Sequence, residues 1–383
     1  MSLPLHTHAR VEGANEVGLF KVLTPEEAAR GAYPAPDVLL WNAAAPGYAG
    51  SVFPADGIGE GLTISRPRDP AVIRPGDVVR VRPGSTLISV LYRRGSVANT
   101  LFATERCNSR CLMCSQPPRT DDDSWRVAEL LRLIELIDPD EAQLGISGGE
   151  PTLLGEDLGR LIDACARRLP DTHLHILSNG RTFCDPAIAA SLGDRGHRSL
   201  TWGVPLYADH ADLHDVVVDA HGAFEETVQG LYELGRLGAR IEVRVVLHAL
   251  TVNRLPQLAS YIYRRLPFVE HVALMGLEPM GYAKANRERL WIDPADYVGP
   301  LVDAVFFLAH RGLPVSIYNL PLCVLPEPLW PYARQSISDW KNTFAPECEG
   351  CELIRSCSGF FASAGPAWRS RAVRPLKLME TAA

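Results

Sequence analysis

The sequence has no surplus of positive charge. Its 38 Lys and Arg stand against 45 Asp and Glu, a formal charge of −7, and the sequence pI is near 5.9. That balance argues against a polyanion-binding surface over most of the molecule, so nucleic acid is not the expected partner, although a local basic patch stays open. Long apolar runs are missing too. The most apolar helical stretch, VDAVFFLAH at residues 302–310, is far shorter than the roughly 20 residues that span a bilayer, and no membrane partner is expected. The opening MSLPLHTHARVEGANE lacks the basic start and apolar run of a secretory signal. The expectation is a cytoplasmic protein, in which thiols stay reduced and clustered cysteines hold metal or do chemistry more often than they pair as disulfides. Solenoid repeats and low-complexity tracts are also absent.

What is present is 383 residues, 46% of them hydrophobic, enough for two or three packed units. Residues 1–96 are rich in Pro and Gly, and their short β-type runs DVLLWN, GDVVRVRP and STLISVLYR are separated by turn signals. They predict a small β-rich N-terminal unit. From residue 97 strands alternate with amphipathic helices: NTLFATERC, AQLGISGGE, HLHILSNG, SLTWGVPLY, RIEVRVVLH and HVALMGLE, with helices near SWRVAELLRLIELI, EDLGRLIDACARRL, DPAIAASLGD, GAFEETVQGLYELGRLG and RLPQLASYIYRRL. Six βα-type steps over residues 97–292 predict an α/β fold, a parallel sheet curled by right-handed crossovers into a partial (β/α)6 barrel of the TIM type. Functional loops in such folds lie at the C-terminal ends of the strands, where Cys107, SGGEP and LSNG all fall. Residues 293–383 form a C-terminal extension with one helix, a short strand (PVSIYN) and an irregular segment carrying Cys323, Cys348, Cys351 and Cys357.

The stretch ERCNSRCLMCSQ places Cys107, Cys111 and Cys114 at C-x3-C-x2-C spacing. A zinc site there needs a fourth ligand from elsewhere, because no His lies nearby in sequence. Three thiolates on a cubane of four irons leave one iron open, and an open position is what a catalytic metal site requires. With this loop following the first barrel strand, the chain resembles the radical S-adenosylmethionine (radical SAM) superfamily. The resemblance implies a [4Fe-4S] cluster on Cys107, Cys111 and Cys114 whose open iron chelates the amino and carboxylate groups of SAM. It also implies the chemistry: an electron breaks a carbon-sulfur bond of SAM, and the 5′-deoxyadenosyl radical so formed takes hydrogen from the substrate.

On the same resemblance, Gly148, Gly149, Glu150 and Pro151 match the GGEP motif that receives the SAM ammonium group, with Gly admitting close backbone approach and a carboxylate beside a cation. Ser178 and Asn179 match positions that contact the ribose, though SNG is also an ordinary turn. Arg244 is a candidate for the SAM carboxylate or ribose, with a structural ion pair as the alternative. Gly276 and Leu277 match the strand whose backbone reads adenine. Met113 stands where the superfamily usually has an aromatic residue, and is itself a flexible apolar packer against a ring.

Cys348, Cys351 and Cys357, at C-x2-C-x5-C, and the upstream Cys323 supply four thiols, enough for a closed cluster or for a structural zinc site. The spacing resembles the auxiliary-cluster extension called SPASM in its long form and twitch in its short one. The long form continues with a further cysteine where this chain has Phe361, so the resemblance implies a single auxiliary [4Fe-4S] cluster. Cys165 and Cys184 read as ordinary thiols. HDVVVDAHGAFEET, residues 214–227, resembles a stretch of radical SAM enzymes that modify ribosomally made peptides. Where those enzymes carry an S-L-D-G turn, this chain has Pro205, Leu206, Tyr207 and Ala208, and no substrate contact carries over. His214 and Asp215 are each expected at the surface more than at the site.

Together, TERCNSRCLMCSQPP, GISGGEPTLLG, LHILSNGR, HVALMGLEPMG, SIYN and SISDWKNTFAPECEGC resemble the radical SAM maturases of the His-Xaa-Ser peptide-modification system, over residues 100 to 365. That implies a precursor peptide with His-Xaa-Ser repeats, a companion radical SAM protein and an electron donor as partners; the bond made does not follow. Two alternatives stay open: the same chemistry on a small molecule or nucleoside, and a non-catalytic protein with structural zinc sites.

Overall fold

The structure, a computed structural model, describes residues 5–193, 195–335 and 343–377. The SISDWKN portion of the last motif, residues 336–342, lies outside the described residues.

The N-terminal unit holds β1 (His6–His8), β2 (Arg10–Glu12), β3 (Gly18–Leu23), the short helix α1 (Pro25–Ala28), β4 (Val38–Trp41), β5 (Gly50–Val52), β6 (Leu62–Ser65), β7 (Val78–Val81) and β8 (Leu87–Tyr92). Its strand order is β1-β8-β7-β3-β4-β5-β6-β2. β1 and β2 are neighbours in sequence yet sit at opposite ends of that order: β1 pairs antiparallel with β8 and β2 with β6. One segment, residues 6–12, therefore joins both edges and closes the sheet into a barrel, with the intervening Ala9 N–H donating to the Thr86 carbonyl at 2.8 Å. Val22, Leu39, Val52, Ile64, Val79, Val81, Ile88 and Val90 fill one core. The alternate residues Leu23, Val38 and Leu40 pack with Ala28 of α1, as period-2 alternation dictates.

The second sheet is parallel throughout, in the order β16-β15-β14-β13-β12-β11-β10-β9: β9 (Thr100–Phe102), β10 (Gln143–Ser147), β11 (His173–Leu177), β12 (Leu200–Pro205), β13 (Arg240–Leu247), β14 (His271–Gly276), β15 (Val315–Tyr318) and β16 (Ala333–Arg334). The first six are the strands expected from the sequence. PVSIYN adds a seventh, β15, bonded to β14, and the sheet stays open between β9 and β16. Between the strands run α2 (Trp125–Leu136), α3 (Glu156–Arg168), α4 (Pro186–Leu192), α5 (Ala211–Val218), α6 (Ala223–Arg236), α7 (Leu255–Arg265), α8 (Tyr282–Ala285), α9 (Arg287–Leu290) and α10 (Val298–Ala309). Leu144, Ile146, Leu174, Ile176, Trp202, Val204, Ile241, Val243, Val272 and Leu274 form the main core with residues of these helices. The residues between them, among them Gly145, His175, Gly203, Arg244 and Met275, line a cavity inside the sheet. Among the described residues no helix is long and apolar enough to cross a membrane.

A buried carboxylate ties the two units together. Asp138, just past α2, forms an ion pair with Lys21 Nζ at 2.8 Å and accepts from Arg94 Nε at 2.7 Å and Tyr33 Oη at 2.7 Å, with Tyr92 Oη at 3.3 Å. All four partners belong to the N-terminal unit. Burial would push the Asp138 carboxyl up, but the Arg94 hydrogen bond and the Lys21 charge outweigh it and hold the group at about 2. Lys21 is fully buried over the rings of Tyr33 and Tyr92. Burial pulls its pKa down to about 8 against the pull of Asp138.

Candidate active site

The cysteine loop begins where β9 ends and is fastened along its length. Asp123 accepts from Thr104 Oγ1 at 2.9 Å and the Glu105 N–H at 2.6 Å. Arg181 bonds the Asn108 carbonyl, lies 3.1 Å from Ser109 Oγ and is itself held by Glu226 at 2.6 Å. Asn179 Nδ2 donates to Asn108 Oδ1 at 2.6 Å. The N–H groups of Arg110 and Leu112 reach the Val218 and Val217 carbonyls at the end of α5, at 3.0 and 2.9 Å. Asn286 Nδ2 donates to the Leu112 carbonyl at 3.0 Å, and the Tyr282 N–H to the Cys114 carbonyl at 2.8 Å. So fixed, Cys107, Cys111 and Cys114 all line one cavity of about 770 Å³.

The glycine pair explains how the loop sits against β10. A Cβ on Gly148 would stand 2.5 Å from the Thr104 carbonyl oxygen, and one on Gly149 would stand 2.3 Å from that of Arg106. The main chains instead bond directly, Gly149 N–H to Thr104 at 2.7 Å and Glu150 N–H to Arg106 at 2.8 Å. Gly149→Ala should therefore cost roughly 1–3 kcal/mol of overpacking and loosen the cysteine loop. A lower melting temperature of the metal-free protein and a reduced iron content after reconstitution would show it, and wild-type values of both would refute it.

Glu150 is fully buried and sits behind the cavity wall rather than on it. Its Oε1 accepts from Thr152 N–H, Thr152 Oγ1 and Ser178 Oγ at 3.0, 2.6 and 2.8 Å, and its Oε2 from the Asn179 N–H at 2.6 Å. It thereby fastens the loop after β11 to the loop after β10. Pro151 is likewise buried behind the wall. Of the other residues expected at a cofactor, Met113, Gly148, Gly149, Ser178, Asn179, Arg244, Gly276 and Leu277 all line the cavity.

Sequence reasoning missed several wall residues, including His175, Tyr207, Asn319 and Phe361. His175 and Arg244 belong to a polar network inside the barrel. Glu242 lies 2.5 Å from Arg244, 2.8 Å from His271 Nδ1 and 3.5 Å from His175 Nε2, while His271 Nε2 is 3.0 Å from Ser316 Oγ. Burial would raise the Glu242 carboxyl, but the His271 hydrogen bond and the Arg244 charge bring it down to about 2. Burial keeps His175 neutral, at about 4. The alternation H-L-H-I-L on β11 was the available signal that both histidines of this strand turn to the same face.

Residues 101–262 match the model described as the Radical SAM superfamily. The parallel sheet is of the kind typical of a radical SAM partial barrel. Among solved structures, the chain is similar to SuiB of Streptococcus suis bound to S-adenosylmethionine, at 15% identity and a TM-score of 0.46 over 57% of this chain and 49% of that one, so it spans about half of that protein's length. It is also similar to anSMEcpe with bound AdoMet and the Cp18Cys peptide (16%, TM-score 0.46, 57% of this chain and 62% of that one) and to TYW1 with a lysine-pyruvate adduct (15%, 0.37, 53% and 70%). No curated protein matches the chain.

The chemistry of the donor set suits the cofactor of a radical SAM barrel. Burial pushes the Cys107 thiol up to about 11 and Cys111 up to about 12, the latter raised further by Cys114 and Cys107. Three such thiols become thiolates when a cationic metal centre binds them. Among the described residues no three His, Cys, Asp or Glu side chains are gathered closely enough for a single metal ion. Cys107, Cys111 and Cys114 share one cavity wall.

The second cysteine group lies in the C-terminal extension. Burial raises the Cys323 and Cys357 thiols, and neighbouring cysteines raise them further, Cys357 and Cys348 for the first and Cys348 and Cys351 for the second. The N–H groups of Leu322 and Gly359 each donate to Cys357 Sγ at 3.4 Å. Cys165 is buried in the main core, and neither it nor Cys184 lines the cavity. His214 and Asp215, expected at the surface, are internal fasteners. His214 is buried and accepts the Tyr207 N–H at 3.3 Å; Asp215 caps α6 through the Gly222 and Phe224 N–H groups at 2.6 and 2.9 Å.

Proposed function

We propose that this protein is a radical SAM enzyme that cleaves SAM reductively and modifies a ribosomally made precursor peptide, with one catalytic and one auxiliary [4Fe-4S] cluster. The observation that carries the reading is the convergence of Cys107, Cys111 and Cys114 with Gly148, Gly149, Ser178, Asn179, Gly276 and Leu277 on one cavity, from four separate strand ends. When bound, the cluster supplies the electron that breaks the carbon-sulfur bond of SAM, and the resulting radical takes a hydrogen atom from the substrate. The chain's own residues set the geometry for that event. The three thiols would hold the iron, and the main chain at Gly148 and Gly149 would offer close approach for the methionine end of SAM. Ser178 and Asn179 would face the ribose, and the backbone at Gly276 and Leu277 would face the base. Glu150 keeps the second and third of these loops in register.

The peptide substrate is supported by the 214–227 stretch and by the wider likeness to His-Xaa-Ser maturases. A precursor with those repeats, a companion radical SAM protein and an electron donor are the partners that follow from it. The cavity lining also includes Leu5, Val97 and Phe102.

Anaerobic reconstitution tests the reading. Two cubane clusters predict about eight irons per chain, and with a strong reductant and SAM the protein should release 5′-deoxyadenosine. A protein that takes up mostly zinc would sink it. Incubation with a synthetic His-Xaa-Ser repeat peptide, read by mass spectrometry, tests the substrate class.

A further inference from the structure

The last described residues reach the second cysteine group. The Leu376 N–H donates to Cys351 Sγ at 3.4 Å. The same segment is laced to the cysteine loop on either side of its donor. The Leu376 carbonyl accepts the Glu352 N–H at 3.0 Å, while Lys377 Nζ lies 3.0 Å from the Gly350 carbonyl and 3.3 Å from Glu352. One of the four thiols thus receives a main-chain donor from a segment that follows the cysteine motif in sequence and contains no ligand of its own.

We propose that residues 376–377 are a clasp for the auxiliary cluster, holding it in place and raising its reduction potential through N–H···S donation to Cys351. The proposal rests on the auxiliary-cluster reading above. Its physical basis is that reduction adds a negative charge spread partly over the sulfurs. A donor aimed at a ligand sulfur therefore stabilises the reduced state more than the oxidised one, and hydrogen bonds to sulfur and solvent exposure are both established levers on cluster potential. The Leu376 N–H is positioned for the first lever.

The experiment uses full-length protein reconstituted anaerobically, with iron counted and both clusters titrated by electron paramagnetic resonance. Leu376→Pro deletes the donor, and Leu376→Ala keeps it while removing the side chain. Leu376→Ala should hold about eight irons and titrate as wild type. Leu376→Pro should either shift the auxiliary signal to more negative potential at full iron content or fall to about four irons, with the catalytic cluster's signal unchanged in both cases. A chain ending at Val373 should show the same loss. Leu376→Pro with about eight irons and the wild-type potential would overturn the clasp. Wild-type protein holding only about four irons would instead overturn the auxiliary-cluster reading.

Discussion

Cys107→Ala will reduce 5′-deoxyadenosine release by more than about 100-fold, a larger loss than the 10–100-fold typical of residues that only support metal ligands. Iron should fall from about eight to about four per chain, because a cubane held by two remaining thiolates is not retained while the auxiliary group is untouched. The fold should survive. The loop carrying Cys107 is fastened through Asp123, Arg181, Asn179, Asn286 and the end of α5, and none of those bonds uses the Cys107 side chain. Wild-type melting behaviour with lost activity and lost iron is the expected combination. Release equal to wild type would show that these cysteines do not hold the catalytic cluster.

Asp138→Ala should destabilise the protein by about 3–5 kcal/mol, the cost of leaving buried charge without its partner. Lys21 is fully buried, and with Asp138 gone neither it nor Arg94 keeps its carboxylate across the junction between the units. The pH dependence follows with a definite sign. The Asp138 carboxyl sits at about 2 in the folded protein, against roughly 3.9 unfolded. The unfolded state therefore binds more protons between those values, and the contribution, roughly 2 kcal/mol after solvent screening, is fully present above about pH 4 and lost as the pH falls towards 2. Lys21, at about 8 folded and roughly 10.4 unfolded, works in the same direction: stability rises with pH across that interval. Urea unfolding of wild type and variant at several pH values checks both statements. A variant with the wild-type midpoint and the same acid limb would show that Asp138 does not join the units.

The parts of this molecule legible from sequence are those in which residue type alone carries the constraint. Cys107, Cys111 and Cys114 are such residues, because only a few side chains bind iron. So is the Gly148-Gly149 pair, although the clash it avoids proves to be with the backbone of Thr104 and Arg106. Long-range partnerships were not legible. Nothing local says that Glu150 will spend both oxygens on Thr152, Ser178 and Asn179, or that Arg181 will reach back to Asn108 and Ser109. Strand length sets a similar limit. DVLLWN and STLISVLYR show alternation, but β1, β2 and β5 have three residues each, too few for a period to register. PVSIYN reads as a strand from its composition, whereas its place as the seventh of the barrel sheet is a fact of pairing with β14.

The closed N-terminal sheet resembles a cask whose last stave is also its lock. Residues 6–12 fill the gap between β8 and β6, and the other strands stay protected only while that stave is seated. A single proteolytic cut near Ala9, or a change that unseats this stretch, would bare two raw edges at once, one along β8 and one along β6. Unpaired edges are templates for other chains, so damage to these seven residues would first be seen as aggregation.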